Sequence, residues 1–294
     1  MILKKSLFLI IICASLCVLI VNASAEPLVK SGETIVFLGD SITQNGAALP
    51  GGYVSLVVSG FKSTGINIQA IPAGTGGHTS NDLIKRLQRD VIERKPDWVT
   101  ISYGVNDVFR GANGGVTLED YKTNLVTAVD KAQAAGIKVM IFTATLIGEG
   151  EGQDGNRRLA PYNVFLRQLA KDKNCHLADL NEVMWHAIRN PEYPNPGDGY
   201  LTVDGIHMNP LGNEVLAIGV LSAFGLTTAD IVKAKTEWQD IPESSEIGFK
   251  MSISLRDYKG WCANAAKQSQ SLLPYIKRYL SQSIGRTLAA EKGN

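Results

Sequence analysis

Five short apolar runs, 34–39 (TIVFLG), 67–72 (NIQAIP), 97–103 (DWVTISY), 137–143 (IKVMIFT) and 175–180 (CHLADL), recur along the chain with helix-length segments between them. They lack the polar alternation of a half-buried strand, as strands covered on both faces of a parallel sheet do. A strand that returns parallel to its neighbour needs a long crossover, and the intervening segments supply it. In 80–94, Leu83, Leu87 and Val91 share a face, with Ser80 as N-cap and Pro96 past the end. Thr117 and Asp120 have capping-box spacing ahead of a helix that Gly136 stops, 157–172 is amphipathic, and Asn209-Pro210 reads as N-cap and first residue of a helix over 210–224. The expected class is α/β.

Two segments stand outside that alternation. At the start, Lys4-Lys5 precede the apolar run Leu7 to Val21 and the small residues Ala23-Ser24-Ala25, the three parts of an export signal. Residues 1–25 are therefore expected to be removed and the chain to be secreted or periplasmic, with no stable membrane partner. After Gly225, residues 227–238 and 255–283 read as helices, the second split at Pro274. The expected organisation is a signal peptide at 1–25, a main domain at 26–226 and a C-terminal helical extension at 227–294.

Cleavage leaves 294 − 25 = 269 residues, and removing Lys4 and Lys5 leaves 29 − 2 = 27 basic against 28 acidic residues. That balance makes no electrostatic case for nucleic acid or an anionic membrane surface. Cys175 and Cys262 remain, in a context that permits a disulfide but a size that does not need one, so their pairing stays open. No ligand spacing of the C-x-x-C or H-E-x-x-H kind occurs, and no metal is expected.

Ligands of an open parallel sheet gather beyond the carboxyl ends of its strands. Gly39-Asp40-Ser41 follows the first run, Gly74-Thr75-Gly76-Gly77-His78-Thr79 the second, and Gly104-Val105-Asn106-Asp107 the third; Asp204-Gly205-Ile206-His207 follows the fifth, past a helix and a Pro/Gly-rich loop. One edge thus holds a hydroxyl, a histidine with a carboxylate three positions before it, and Gly and Asn able to donate N–H groups. Acyl transfer needs a nucleophile, a base, an acid that orients the base, and donors for the oxyanion. The loop 148–156 (GEGEGQDGN) reads as flexible, acidic and solvated, because it does not meet the calcium-loop pattern.

The stretches FLGDSIT, GTGGHTSNDL, SYGVND and DGIHMNPLGN, in that order, resemble the blocks of the SGNH (GDSL-type) hydrolase superfamily, and the resemblance covers about residues 32–225. It implies a three-layer α/β/α sandwich of flavodoxin-like type with a five-stranded parallel sheet and no cofactor. It implies Ser41 as nucleophile, His207 as base, Asp204 as the acid that orients it, and Ser41, Gly77 and Asn106 as oxyanion donors. Asp40 is left as loop support. The second block departs from the common pattern, which has Asn at Pro72 and Asp at His78, so the hydrogen bonds of that loop are expected to differ.

The implied activity is a serine esterase working through an acyl-enzyme. The exported context and the aromatics Trp185, Tyr193 and Tyr200 near the last block suggest deacetylation of a carbohydrate, with His78 and those three rings at the substrate rim. A lysophospholipase, another short-chain lipid esterase or an acyltransferase are alternatives, as is a non-catalytic carbohydrate-binding protein on the same scaffold. Gly74-x-Gly76-Gly77 opens a helix as a phosphate loop would, but G-x-G-x-x-G is incomplete, and there is no G-x-S-x-G elbow.

Overall fold

A computed structural model describes residues 26–192, 199–239, 241 and 254–291. The expected signal, 1–25, lies outside them. The chain runs β1 (Thr34–Gly39), α1 (Ser41–Ala48), α2 (Tyr53–Ser63), β2 (Gln69–Gly74), α3 (Ser80–Asp90), β3 (Trp98–Ser102), α4 (Val105–Phe109) and α5 (Leu118–Ala134). It continues with β4 (Lys138–Phe142), α6 (Asp154–Asp172), β5 (His176–Ala178), α7 (Leu180–Arg189), α8 (Pro210–Ala223), α9 (Thr228–Trp238), α10 (Leu255–Lys267) and α11 (Leu272–Glu291).

All five strands pair in parallel in the order β2-β1-β3-β4-β5. The chain leaves β1 to build β2 on one side, then crosses back to build β3 on the other, so the loops after β1 and β3 part at a topological switch point. Gly39 is in register with both Gly74 and Ser102, which brings the ends of β1, β2 and β3 out level. Val36, Phe37 and Leu38 of β1 are fully buried. Helices α2, α8 and α9 pack with one another, and α3, α5 and α6 form a second packed group, so that helices flank the sheet.

The edge strands depart from the buried pattern expected of them: β2 is mostly half-buried, with Gln69 and Pro72 exposed and only Ala73 buried, and β5 is short with only Ala178 buried. An edge also explains how Pro72 fits a strand, since a residue without an N–H is tolerated where one side needs no partner. The N-cap of α3 is Thr79 rather than Ser80: Thr79 and Asp82 make the capping box, and Ser80 is the first helical residue. Thr117 and Asn209 cap α5 and α8 as their spacing predicts. In the C-terminal region the helical path breaks at 268–271, where Ser269 has φ 51°, and Pro274 sits in the first turn of α11, where a missing N–H costs nothing.

One compact unit ends at Ser245 and a second spans Glu246–Asn294. Helix α9, assigned from the sequence to the C-terminal extension, packs on α2 within the first unit. Cys175 and Cys262 are both free, and burial pushes the Cys175 thiol up to about 11. No helix among the described residues is long and apolar enough to cross a membrane.

Candidate active site

Asp40 follows β1 and caps α1, its Oδ1 accepting the Ile42 N–H at 2.9 Å. Ser41 is therefore the first residue of a helix mounted directly on β1, an inner strand of the sheet. Gly39 is needed here for room, not for a sharp turn: its φ is not positive, but a Cβ would stand 2.2 Å from Thr43 Oγ1. Its absence lets the first turn of α1 lie against the strand end, and Thr43 is locked there by a 2.8 Å hydrogen bond with the Tyr53 hydroxyl.

Ser41 Oγ lies 2.8 Å from His207 Nε2, and His207 Nδ1 lies 2.6 Å from Asp204 Oδ2. Asp204 Oδ1 accepts the N–H groups of Ile206 and His207 at 3.0 and 2.8 Å. Although burial alone would raise it, these bonds from His207 and Ile206 hold the Asp204 carboxyl below its ordinary value. An ionised Asp204 accepts the Nδ1 proton and leaves the Nε2 lone pair facing the serine hydroxyl, the tautomer that general-base chemistry requires. The Asp204 and His207 side chains are 51% and 31% exposed, so the line opens to solvent.

Between α7 and α8 the loop carrying Asp204 and His207 folds back on itself, with Val203 N–H donating to the His207 carbonyl and Asn209 N–H to that of Leu201. Its anchor is Glu149, in the segment expected to be solvated. Glu149 Oε1 accepts Leu201 N–H at 2.8 Å, Thr202 N–H at 2.7 Å and the Thr202 hydroxyl at 2.6 Å, while Oε2 accepts Tyr200 N–H. Gly148 N–H donates to the Gly205 carbonyl, one residue past Asp204. The loop after β4 is thus stapled to the loop that bears the histidine. Sequence reasoning missed Glu149, since an acid among glycines carries no sign of the three backbone donors it will meet.

On the other side of Ser41, the backbone N–H groups of Ser41 and Gly77 donate to no other described group. Gly77 has φ +73°, a conformation that costs glycine little and aims its peptide as a side-chain-bearing residue rarely would. Asn106 Nδ2 donates to the His78 carbonyl at 3.1 Å and to Asp40 Oδ2 at 3.2 Å. Both of its hydrogens are held by protein acceptors, and a substrate oxyanion would compete for one of them. Asp40 is 2% exposed; burial, with a smaller push from the like charge of Asp107, drives it up to about 7. Near neutrality its hold on Asn106 is that of a carboxyl group only partly ionised.

The second loop has its own organiser. Arg86, 7% exposed, pairs with Asp90 through Nε at 2.6 Å. Its Nη2 donates to the Ala73 carbonyl, and its Nη1 to Thr75 Oγ1 at 2.8 Å and His78 Nδ1 at 3.3 Å. A buried guanidinium takes up the polar groups of the loop whose pattern departs from the common one, His78 among them. Burial first, then Arg86, Arg110 and Lys85 against the opposing Asp82, hold His78 below its ordinary value. Because a guanidinium only donates, the proton of that ring is on Nε2.

Of the expected rim, His78 is half-buried beside Gly77, and Tyr193 lies outside the described residues. Trp185 and Tyr200 differ from the expectation: at 8% and 5% exposure they are part of the hydrophobic core. Each is drawn inward by its element, Trp185 on the buried face of α7 and Tyr200 by the Glu149 staple.

A parallel α/β sheet with serine, histidine and aspartate hydrogen-bonded in line at its switch point defines the class of acyl-group hydrolases. Within that class the chain belongs to the GDSL-like lipase/acylhydrolase family, whose pattern matches residues 37–215. It is 31% identical over 216 residues to an acetylxylan esterase of Geobacillus stearothermophilus, covering 67% of this chain and 96% of that one. Among solved structures it is similar to the acetyl xylan esterase AlAXEase, with 34% identity, a TM-score of 0.60 and 65% and 98% of the two chains covered. The structure of Axe2, an acetylxylan esterase from Geobacillus stearothermophilus, gives 29% identity and a TM-score of 0.61, covering 67% and 96%. Variants of Axe2 described as catalytic mutants change a serine, an aspartate and a histidine three positions beyond that aspartate. The protein is accordingly a carboxylic ester hydrolase.

Proposed function

We propose that the enzyme removes acetyl groups from a polysaccharide or its oligosaccharides, through an acetyl-enzyme on Ser41. The observation that carries this reading is the Ser41–His207–Asp204 line, with contacts of 2.8 and 2.6 Å, in a chain that spans nearly the whole length of acetylxylan esterases. The exposure of that line supports it too, since a polymer chain must reach the serine from the side.

In the proposed cycle His207 Nε2 takes the Ser41 proton as Oγ attacks the ester carbonyl, and the imidazolium is held at Nδ1 by Asp204. The carbonyl oxygen, now carrying the negative charge, receives the N–H groups of Ser41 and Gly77 and one hydrogen of Asn106, which leaves Asp40 or the His78 carbonyl to do so. His207 returns the proton to the departing sugar hydroxyl. A water molecule, deprotonated by the same nitrogen, then attacks the acetyl-enzyme, and acetate leaves as His207 reprotonates Ser41. We further propose export of the protein, supported by Lys4-Lys5, the apolar run and Ala23-Ser24-Ala25.

Acetate release from acetylated xylan, compared with turnover of lysophosphatidylcholine and of aryl esters of increasing acyl length, tests the substrate. Acetylated xylan and aryl acetates are expected to be cleaved and long acyl chains rejected. A preference for lysophosphatidylcholine or long acyl chains would refute the carbohydrate reading.

A further inference from the structure

Beside the oxyanion loop stands the guanidinium of Arg110. Arg110 follows α4 and is exposed, and its Nη2 rests 2.6 Å from where a Cβ on Gly77 would stand. The neighbouring Gly76 is close to the nucleophile, its corresponding Cβ position lying 3.9 Å from Ser41 Cβ. The guanidinium therefore lies against the glycine proposed to bind the oxyanion, one residue from contact with the serine. Only the backbone of Arg110 is hydrogen-bonded; its side chain has neither hydrogen bond nor ion pair among the described residues.

Every other arginine near the site is committed. Arg86 is spent on Asp90, Ala73 and Thr75, and Arg158 on Asp154 and the Val108 carbonyl. The carboxylates of these loops are committed as well: Asp82 to Thr79 and Lys85, Asp107 to the Ser80 N–H, Asp40 to Ile42 and Asn106. Beside Arg110 stands His78, whose Nδ1 is taken by Arg86 and whose Nε2 carries the remaining proton with no partner among the described residues. A guanidinium and an imidazole N–H beside the oxyanion loop, with the nearby Asp82 already bonded to Thr79 and Lys85, offer donors to an anion.

We infer that Arg110, helped by His78, is a specificity-determining residue that binds a carboxylate on the saccharide next to the acetylated position, so that the preferred substrate is an acidic, uronic-acid-bearing acetylated polysaccharide. This rests on the carbohydrate reading above and adds the charge of the substrate to it. A fork of parallel N–H donors suits a carboxylate, which it can bind through two oxygens. A charge without a partner among the described residues, in a chain whose acidic and basic residues otherwise nearly balance, is free to take one from the ligand. The ester step is unchanged: the carboxylate anchors the sugar and takes no part in bond making.

The test compares kcat/KM for acetylated xylo-oligosaccharides with and without uronosyl side groups, in the intact protein and in Arg110→Gln and Arg110→Lys. The wild type is expected to prefer the acidic member by about tenfold at low ionic strength, a margin that 0.5 M NaCl should shrink. R110Q is expected to lose most of that preference, mainly through a higher KM, while R110K keeps part of it. Equal kcat/KM on the two substrates, or a preference that survives R110Q unchanged, overturns the inference and leaves the carbohydrate reading standing. If neither saccharide is cleaved while an aryl acetate is, the carbohydrate reading fails and the inference falls with it.

Discussion

Ser41 stands at the end of a strand whose Val36, Phe37 and Leu38 are completely buried, whereas His207 and Asp204 stand on a loop where the Asp204 side chain is 51% exposed. The serine side is held by packing: Gly39 admits Thr43 against the strand, and the register of β1 with β2 and β3 brings the donor loops level. The histidine side reaches the core at Tyr200 and Leu201, but Asp204 and His207 themselves stay open to solvent. Its position is set by hydrogen bonds to a carboxylate from the next loop, Glu149. Packing is distributed over many contacts, while a staple concentrates on one side chain, so the two sides should respond differently to substitution.

The largest effect belongs to the serine side and breaks the chemistry, leaving the mount intact. Ser41→Ala should cut kcat by at least about four orders of magnitude with an unchanged thermal midpoint, because nothing in the fold depends on its hydroxyl. Steady-state turnover of an aryl acetate, run beside a thermal melt, decides it; retained hydrolysis would disprove the acyl-enzyme route. Asn106→Ala should follow, with a loss of about two to three orders of magnitude in kcat. Its two acceptors, Asp40 Oδ2 and the His78 carbonyl, lose a donor in the same change, so some loss of stability is expected with it.

Glu149→Gln is the sharpest probe of the comparison. The amide keeps the size of the side chain but turns one acceptor oxygen into a donor facing backbone N–H groups. About 1–3 kcal/mol of stability should go with them, and kcat should fall about ten- to a hundredfold as the His207 loop loosens. KM for a small aryl acetate should barely change, because Ser41 and the donor loops are mounted elsewhere. A variant with the stability loss but full kcat would show that the loop keeps its place without the staple.

Much of this was legible in the chain. Five apolar runs and their crossovers specify a parallel sheet, because buried strands and amphipathic helices have periods that residue types record directly, and Ser41, Gly77, Asn106, Asp204 and His207 stand where the loops after those runs placed them. The roles of four residues were not legible, for a common reason. Glu149, Arg86 and the buried Trp185 and Tyr200 owe their roles to groups far away in sequence: three backbone N–H groups 51 to 53 residues on for Glu149, and the Gly39 and Ala73 strand ends for Arg86. A polar residue in a glycine-rich loop looks solvated until the donors that converge on it are known. Gly39 likewise gives no sign in the sequence that what matters is the space beside it.

The smallest expected effect on turnover concerns Asp40, which belongs to the packed side yet bonds to Asn106. Asp40→Asn keeps an oxygen to cap Ile42 and should cost only a few-fold in kcat, far less than S41A. Its signature is in stability. Burial raises the folded value to about 7, above the ordinary 3.8, so between those two pH values the folded protein holds a proton that the unfolded chain has released. The stability contributed by this group therefore falls as pH climbs from about 4 to 7, and D40N, which has nothing to ionise, should escape that part of the fall. Thermal midpoints at pH 4.5 and 8 measure it: the midpoint of D40N relative to wild type should rise from the first pH to the second. A constant difference would mean that Asp40 is already ionised throughout, held so by Ile42 and Asn106. Asn106 would then face a full carboxylate at every pH, and releasing a hydrogen to the oxyanion would cost more than a partly neutral Asp40 requires.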